Sequence, residues 1–174
     1  MIKKKICLIG SFGVGKTSLV SRYAKGIFSE KYLSTVGVMI SQKSVHLASG
    51  EVRLMIWDLA GEDDFQGLRL SYLKGASGAL FVADGTREET LQITQQHIER
   101  MEQFHPGIPA LILLNKADLN DQWEISDDQS SEFDRRLEVF PTSAKTGANV
   151  VEAFERLATI MVESNDNPAS DAFL

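Results

Sequence analysis

Residues 10–17 read Gly10-Ser11-Phe12-Gly13-Val14-Gly15-Lys16-Thr17: glycine, four intervening residues, then glycine, lysine and a hydroxyl residue. Such a loop can curl until successive backbone N–H groups converge on an anion, because glycine admits conformations that other residues resist. The lysine adds a mobile positive charge for the outer phosphates of a polyphosphate, and the threonine adds a hydroxyl ligand for Mg²⁺. The chemistry is phosphate binding. Its candidate contacts are Gly13, Val14, Gly15, Lys16, Thr17 and Ser18. An apolar run, Ile6-Cys7-Leu8-Ile9, precedes the loop, and a helix-like stretch follows from Ser18. The motif needs that order, since the helix N-terminus adds its partial positive charge to the site. A plain glycine-rich turn in the core is the bland alternative, and the context on both sides speaks against it.

The loop does not say which base accompanies the phosphates. Asn115-Lys116-Ala117-Asp118 follows the apolar run Ala110-Leu111-Ile112-Leu113-Leu114. A carboxylate at Asp118 can accept two parallel hydrogen bonds from guanine, through N1–H and the exocyclic amine. Adenine lacks that amine and presents an acceptor at N1. Each mismatched polar group in a buried site costs on the order of 1–3 kcal/mol. Asn115 can brace the loop, and the Lys116 stem can cover one face of the base. An Asn-Lys turn after a strand is common by itself; its spacing from the phosphate loop makes it informative. Between the two lies Val52-Arg53-Leu54-Met55-Ile56-Trp57, a strand pattern ending in Asp58-Leu59-Ala60-Gly61. Asp58 sits where a strand-end carboxylate would hold Mg²⁺ through water, and Gly61 can bring its N–H against a γ-phosphate.

Together these segments resemble the Ras superfamily of small GTPases, with a Rab-like flavour, over roughly residues 5–163. Thr142-Ser143-Ala144-Lys145 looks like the family's second guanine loop. It implies base contacts at Ser143, Ala144 and Lys145, with the Ala144 N–H meeting guanine O6. The stretch 28–37 resembles the first switch. There Phe28 would pack edge-on to the base, and Thr35 would ligate Mg²⁺ while touching the γ-phosphate. Residues 62–74 match the second switch. The resemblance implies the α/β fold of P-loop nucleoside triphosphatases, in three layers. Its six-stranded sheet is mostly parallel, with one antiparallel strand and helices on both faces. The implied metal set is Thr17, Thr35 and Asp58, and the implied catalytic set is Lys16, Thr35, Gly61 and Glu62. The implied function is a guanine-nucleotide switch that binds GDP and GTP with Mg²⁺. Unassisted hydrolysis would run at about 10⁻⁴ to 10⁻³ per second. Effectors, exchange factors and activating proteins would dock through residues about 28–40 and 61–75.

Two departures from the family pattern bear on catalysis. The residue after Gly61 is usually glutamine, which orients the attacking water; here it is Glu62. An ionised carboxylate can accept from that water but cannot donate to the γ-phosphate, and it adds negative charge beside it. Phe12 stands where the family has a small residue. Its ring would crowd the space that a partner's arginine enters, or would pack on a switch and shield the phosphates. The competing function class is therefore a GTPase-like binding module that holds nucleotide but hardly cycles.

Composition bounds the remainder. A chain of 174 residues with 43% hydrophobic content suits one domain with a full core. A net charge of −6 argues against a general nucleic-acid binder. Lys3-Lys4-Lys5 reads as a solvated strand start. The single cysteine, Cys7, excludes an internal disulfide and fits a reducing, cytoplasmic setting; within an apolar strand it reads as a buried thiol. Residues 165–174 carry neither a cysteine nor a basic run, so no direct lipid anchor is expected there. They are expected to form a disordered tail behind a GTPase domain at 1–164. His46, His97 and His105 lack metal-ligand spacing, and no nucleophilic triad is present. Trp57 reads as packed, and Trp123 as partly buried or a partner contact.

Strands are expected at about 4–9, 39–47, 52–58, 79–84, 110–115 and 138–142. Helices are expected at about 16–25, 65–74, 88–104, 127–137 and 148–163, the last capped by Gly147 or Asn149. Alternating strands and helices imply a mostly parallel sheet, and the short link 48–51 implies one hairpin.

Overall fold

A computed structural model describes residues 1–61 and 70–164. The strands are β1 (Ile2–Gly10), β2 (Val38–Leu47), β3 (Gly50–Leu59), β4 (Gly78–Asp84), β5 (Ala110–Asn115) and β6 (Val139–Pro141). The helices are α1 (Lys16–Lys25), α2 (Leu70–Leu73), α3 (Glu88–Phe104), α4 (Asp127–Asp134) and α5 (Val150–Glu163). The sheet order is β2-β3-β1-β4-β5-β6, and every neighbouring pair is parallel except β2–β3. The expected fold class is therefore observed. The hairpin closes at Leu47 opposite Gly50, whose φ of 121° lies where a side chain would be strained.

Period-2 alternation sorts the central strands onto two faces. Ile6, Leu8, Leu80, Val82, Leu111 and Leu113 point to one face, where Leu19 of α1 and Phe154 and Leu157 of α5 cover them. Cys7, Ile9, Phe81, Ile112 and Leu114 point to the other, against Leu91, Ile98 and Met101 of α3. All seven residues of β4 are buried, as a strand covered on both faces requires. In α5, Val150, Ala153, Phe154, Leu157, Ala158 and Met161 recur at helical spacing and are buried. The Phe154 ring stacks on Tyr23 of α1 at 4.1 Å.

Several expectations need correction. Lys4 is buried, and its Nζ donates to the Met161 carbonyl near the end of α5. Lys5 lies over the Trp57 ring and donates to the Lys74 carbonyl. Two of the three lysines are thus fastened, because long aliphatic stems let these ammonium groups reach backbone acceptors, while Lys3 is exposed as expected. Helix α4 starts on a Ser126–Gln129 capping box but ends at Asp134, because the Arg136 and Leu137 N–H groups both turn back to the Phe133 carbonyl. Asn149 does occupy the N-cap of α5, at φ 56°, but its side chain donates to the Pro141 carbonyl instead of capping the helix. Of the expected helix 65–74, the described part is α2 alone. Trp57 and Trp123 are partly buried, each packed on the α3-side core. Among the described residues no helix is long and apolar enough to cross a membrane.

Burial pushes the Cys7 thiol up to about 12, against a small opposing pull from Lys5. At pH 8 that leaves about 10⁻⁴ of it as thiolate. A thiol reagent should therefore leave the native protein unmodified and titrate one thiol only after denaturation. Rapid labelling of the native state would contradict this packing.

Candidate functional site

The carboxyl ends of β1, β3, β4 and β5 converge on one rim, the usual crevice of an open α/β sheet. There the residues expected from the sequence gather around a cavity of about 310 Å³. At one end, Gly13, Gly15, Lys16, Thr17, Ser18 and Gly61 line it. Gly15 caps α1 at φ 99°, and a Cβ on it would land on the Asn115 carboxamide nitrogen. Val14 is buried below, its carbonyl accepting from Asn115 Nδ2 at 2.9 Å. Lys16 is only 5% exposed; its Nζ donates to the Gly10 and Ser11 carbonyls at 2.8 and 3.0 Å. The lysine thus lies folded within the loop, its charge at the cavity floor.

Beside it three oxygen-bearing side chains meet. Thr17 donates to Asp58 Oδ2 at 2.6 Å, Thr35 approaches the same oxygen at 3.3 Å, and the two hydroxyls are 2.5 Å apart. Among the described residues Asp58 Oδ1 is buried with no hydrogen-bond partner. Burial pushes the Asp58 carboxyl up, against the Thr17 hydrogen bond, the Lys16 charge and the Thr35 hydrogen bond. A buried carboxylate with an orphaned oxygen beside two hydroxyls fits a hard divalent cation such as Mg²⁺.

The opposite end is built by β5, β6 and the loops after them. Asn115 accepts from Thr142 Oγ1 and from the Ala144 N–H, both at 3.3 Å, so one carboxamide ties three loops together. Ser143 Oγ donates to Asp118 Oδ1 at 2.6 Å and holds that carboxylate at the cavity. Lys116 takes a left-handed φ of 69°; its stem lines the cavity and its Nζ pairs with Asp84 Oδ2 at 2.6 Å. Phe28, Ala144 and Lys145 complete this end, and Phe28 also packs on the α1/α5-side core. Lys145 reaches Glu30 of the first-switch segment at 3.4 Å, an exposed pair of little energetic worth.

Phe12 is half exposed, with its ring 5.3 Å from that of Tyr32. The ring thus packs on the first-switch segment, one of the two expectations for this residue, and in that position it still lines the cavity. Glu62 lies outside the described residues, as does the segment 62–69. Gly61 is described, and a Cβ there would meet the Phe12 backbone at 2.6 Å.

Sequence reasoning missed Asp84, Arg87 and Arg22. Asp84 ends β4 beside Asn115 of β5, with a side chain only 1% exposed. Burial raises its carboxyl, but the Lys116 and Thr86 hydrogen bonds outweigh burial and hold it below the ordinary range. An acidic residue closing an apolar run was the available signal, the same one that found Asp58. Arg22 donates from α1 to the Ala144 and Lys145 carbonyls, at 2.7 and 2.5 Å. Nothing in its local pattern marks it, because the partners lie more than a hundred residues away.

Comparison with known proteins agrees with this geometry. The Ras family profile matches residues 5–163. The chain is similar to the Ras-related protein Rab-13 of Rattus norvegicus, 35% identical over 157 residues, covering 88% of this chain and 77% of the relative. It is also similar to the Ras-related protein Rab-8B of Homo sapiens, 34% identical over 165 residues, covering 92% of this chain and 80% of the relative. Phosphate loop, cation pocket and base-reading loops thus stand in one cavity of a matching fold: the chain belongs to the Ras family, as a Rab-like small GTPase that binds GTP and GDP with Mg²⁺, hydrolyses GTP and acts as a nucleotide-dependent switch.

Proposed function

We propose the following division of labour within that switch, carried chiefly by the convergence of Thr17, Thr35 and Asp58 on one point beside Lys16. Gly13, Val14, Gly15, Lys16, Thr17 and Ser18 bind the phosphate chain. Thr17, Thr35 and Asp58 hold Mg²⁺, Asp58 through water. When bound, the ion would supply charge neutralisation to the phosphoryl oxygens. Asp118 reads guanine; Asn115, Ser143 and Ala144 hold its loop, and Phe28, Lys116 and Lys145 enclose the base. Lys16, Thr35 and Gly61 meet the γ-phosphate, and Glu62 accepts a hydrogen bond from the attacking water. Residues 1–164 form the GTPase domain. The single buried thiol and a guanine-nucleotide ligand support a cytoplasmic location.

Like other members of its family, the chain works through effectors, exchange factors and activating proteins. Their docking segments here are residues about 28–40 and 61–75. Exposed apolar side chains at Val36, Met39 and Ile40 support that assignment. Thr35 and Gly61 are γ-phosphate contacts borne by these segments, so loss of that phosphate releases both. Hydrogen exchange should then be slower across 28–37 and 61–75 with a non-hydrolysable GTP analogue than with GDP. Equal protection in the two states would favour the binding-module reading. Nothing in the cavity favours that second reading.

A further inference from the structure

One charged side chain beside the phosphate loop belongs to none of the motifs above. Arg87 immediately precedes α3, three residues beyond the Asp84 that ends β4. Its Nε donates to Asp84 Oδ2 at 3.1 Å, and its Nη2 donates to the Phe12 carbonyl at 2.8 Å. The guanidinium therefore lies on the outer wall of the phosphate loop. It also approaches Gly13, which lines the cavity. A Cβ built on Gly13 would have Arg87 Nη2 and the Tyr32 hydroxyl each 3.6 Å away. Gly13 is a phosphate contact in the assignment above, so the guanidinium stands one residue's width from the phosphate chain.

We propose that Arg87 is a catalytic arginine supplied in cis: with GTP bound, its head leaves the Phe12 carbonyl and donates to the transferring phosphoryl group. This rests on the site assignment above. The reaction moves few atoms. The water oxygen attacks the γ-phosphorus, and the bond from that phosphorus to the β–γ bridging oxygen breaks. Its electron pair stays on that oxygen of GDP, and a water proton ends on the released inorganic phosphate. Negative charge shifts onto the bridging and γ-oxygens as this happens, and a planar fork of N–H donors aimed there lowers the barrier.

Three observations support the swing. The anchor is fixed: the Asp84 carboxylate is also held by Lys116 Nζ at 2.6 Å and by the Thr86 N–H and hydroxyl at 2.9 and 2.7 Å. Beyond the Asp84 pair the head gives up little: its side chain is 37% exposed, it has one carbonyl hydrogen bond to release, and its other acidic neighbour, Glu89, is 4.0 Å away. Finally, the Phe12 and Tyr32 rings pack together beside Gly13 and line the cavity there. A partner's arginine would have to displace them, whereas Arg87 is already bonded to the phosphate loop itself.

The test is single-turnover phosphate release from GTP and Mg²⁺ by the whole chain, without any partner, for wild type, Arg87→Ala and Arg87→Lys. Alongside run GDP release rates and capture of GDP with aluminium fluoride, which mimics the transferring phosphoryl group. Arg87→Ala should hydrolyse about 20-fold more slowly than wild type. Arg87→Lys should be nearly as slow, because an ammonium cannot span two oxygens. GTP affinity should stay nearly unchanged in both. Wild type alone should capture GDP with aluminium fluoride, and Arg87→Ala should not. Wild-type hydrolysis in Arg87→Ala overturns the proposal, including the case where only GDP release quickens and Arg87 is merely a latch on the loop. Failure of wild type to capture aluminium fluoride also overturns it, and settles the matter if Arg87→Ala does not fold. Loss of guanine-nucleotide binding by wild type would instead refute the site assignment.

Discussion

Lys16→Ala should lower the affinity for both GTP and GDP by about two to three orders of magnitude, the scale of losing a buried charge that faces a phosphate, roughly 3–4 kcal/mol. The structure makes this side chain unusually consequential. Its Nζ sits among the Gly10 and Ser11 carbonyls at 2.8 and 3.0 Å, so the group assigned above to the phosphates also satisfies the loop's own acceptors. Alanine removes both. The loop loses its internal cation and the ligand loses its counter-charge. GTP should suffer somewhat more than GDP, having one more phosphate for the lysine to face. Isothermal titration against each nucleotide, with thermal unfolding as a control for folding, measures it. An unchanged GTP affinity in a folded Lys16→Ala protein would refute the phosphate-loop assignment.

The second large effect is one of selectivity. Asp118→Asn should weaken guanine nucleotides by about 10²-fold or more and let xanthine nucleotides compete. Guanine offers two donors to the carboxylate. Xanthine offers a carbonyl in place of the amine, and a carboxamide can donate to it. The loop should survive the exchange. Ser143 donates its hydroxyl to Asp118 Oδ1 at 2.6 Å, and an asparagine oxygen can accept the same bond. The Asn115 ties to Val14, Thr142 and Ala144 do not involve Asp118. Competition among GTP, XTP and ATP for a fluorescent guanine nucleotide reads the outcome. If Asp118→Asn kept its preference for guanine over xanthine, another group would be reading the base.

The sequence was most informative where function is carried by residues adjacent in the chain. The phosphate loop must be contiguous because one turn of backbone wraps one phosphate chain, so Gly10 to Thr17 could be recognised together. Asp58 and Asp118 were legible because each follows an apolar run that ends at the same rim. The strand register was legible as alternation, and the hairpin as a short glycine-containing link. What stayed hidden is held by long-range pairing. Asp84 acquires its meaning from Lys116 and Arg87, and Arg22 from Ala144 and Lys145; no spacing encodes those meetings. Lys4 misled for the same reason. Its acceptor, the Met161 carbonyl, lies 157 residues along the chain. Charge runs report solvation only when nothing folds onto them.

That last tie bears on how the molecule is made. β1 lies in the middle of the sheet, between β3 and β4, and α5 seals one side of it: Ile6 and Leu8 share a core with Leu157 and Met161, and Lys4 is fastened to α5. A ribosome delivers roughly 5–20 residues per second, so the central strand waits roughly 8–30 s for its covering helix. Until then Ile6 and Leu8 and the strands beside them have only α1 to cover them on that face. Such a chain closes this face of its core only once α5 has been made.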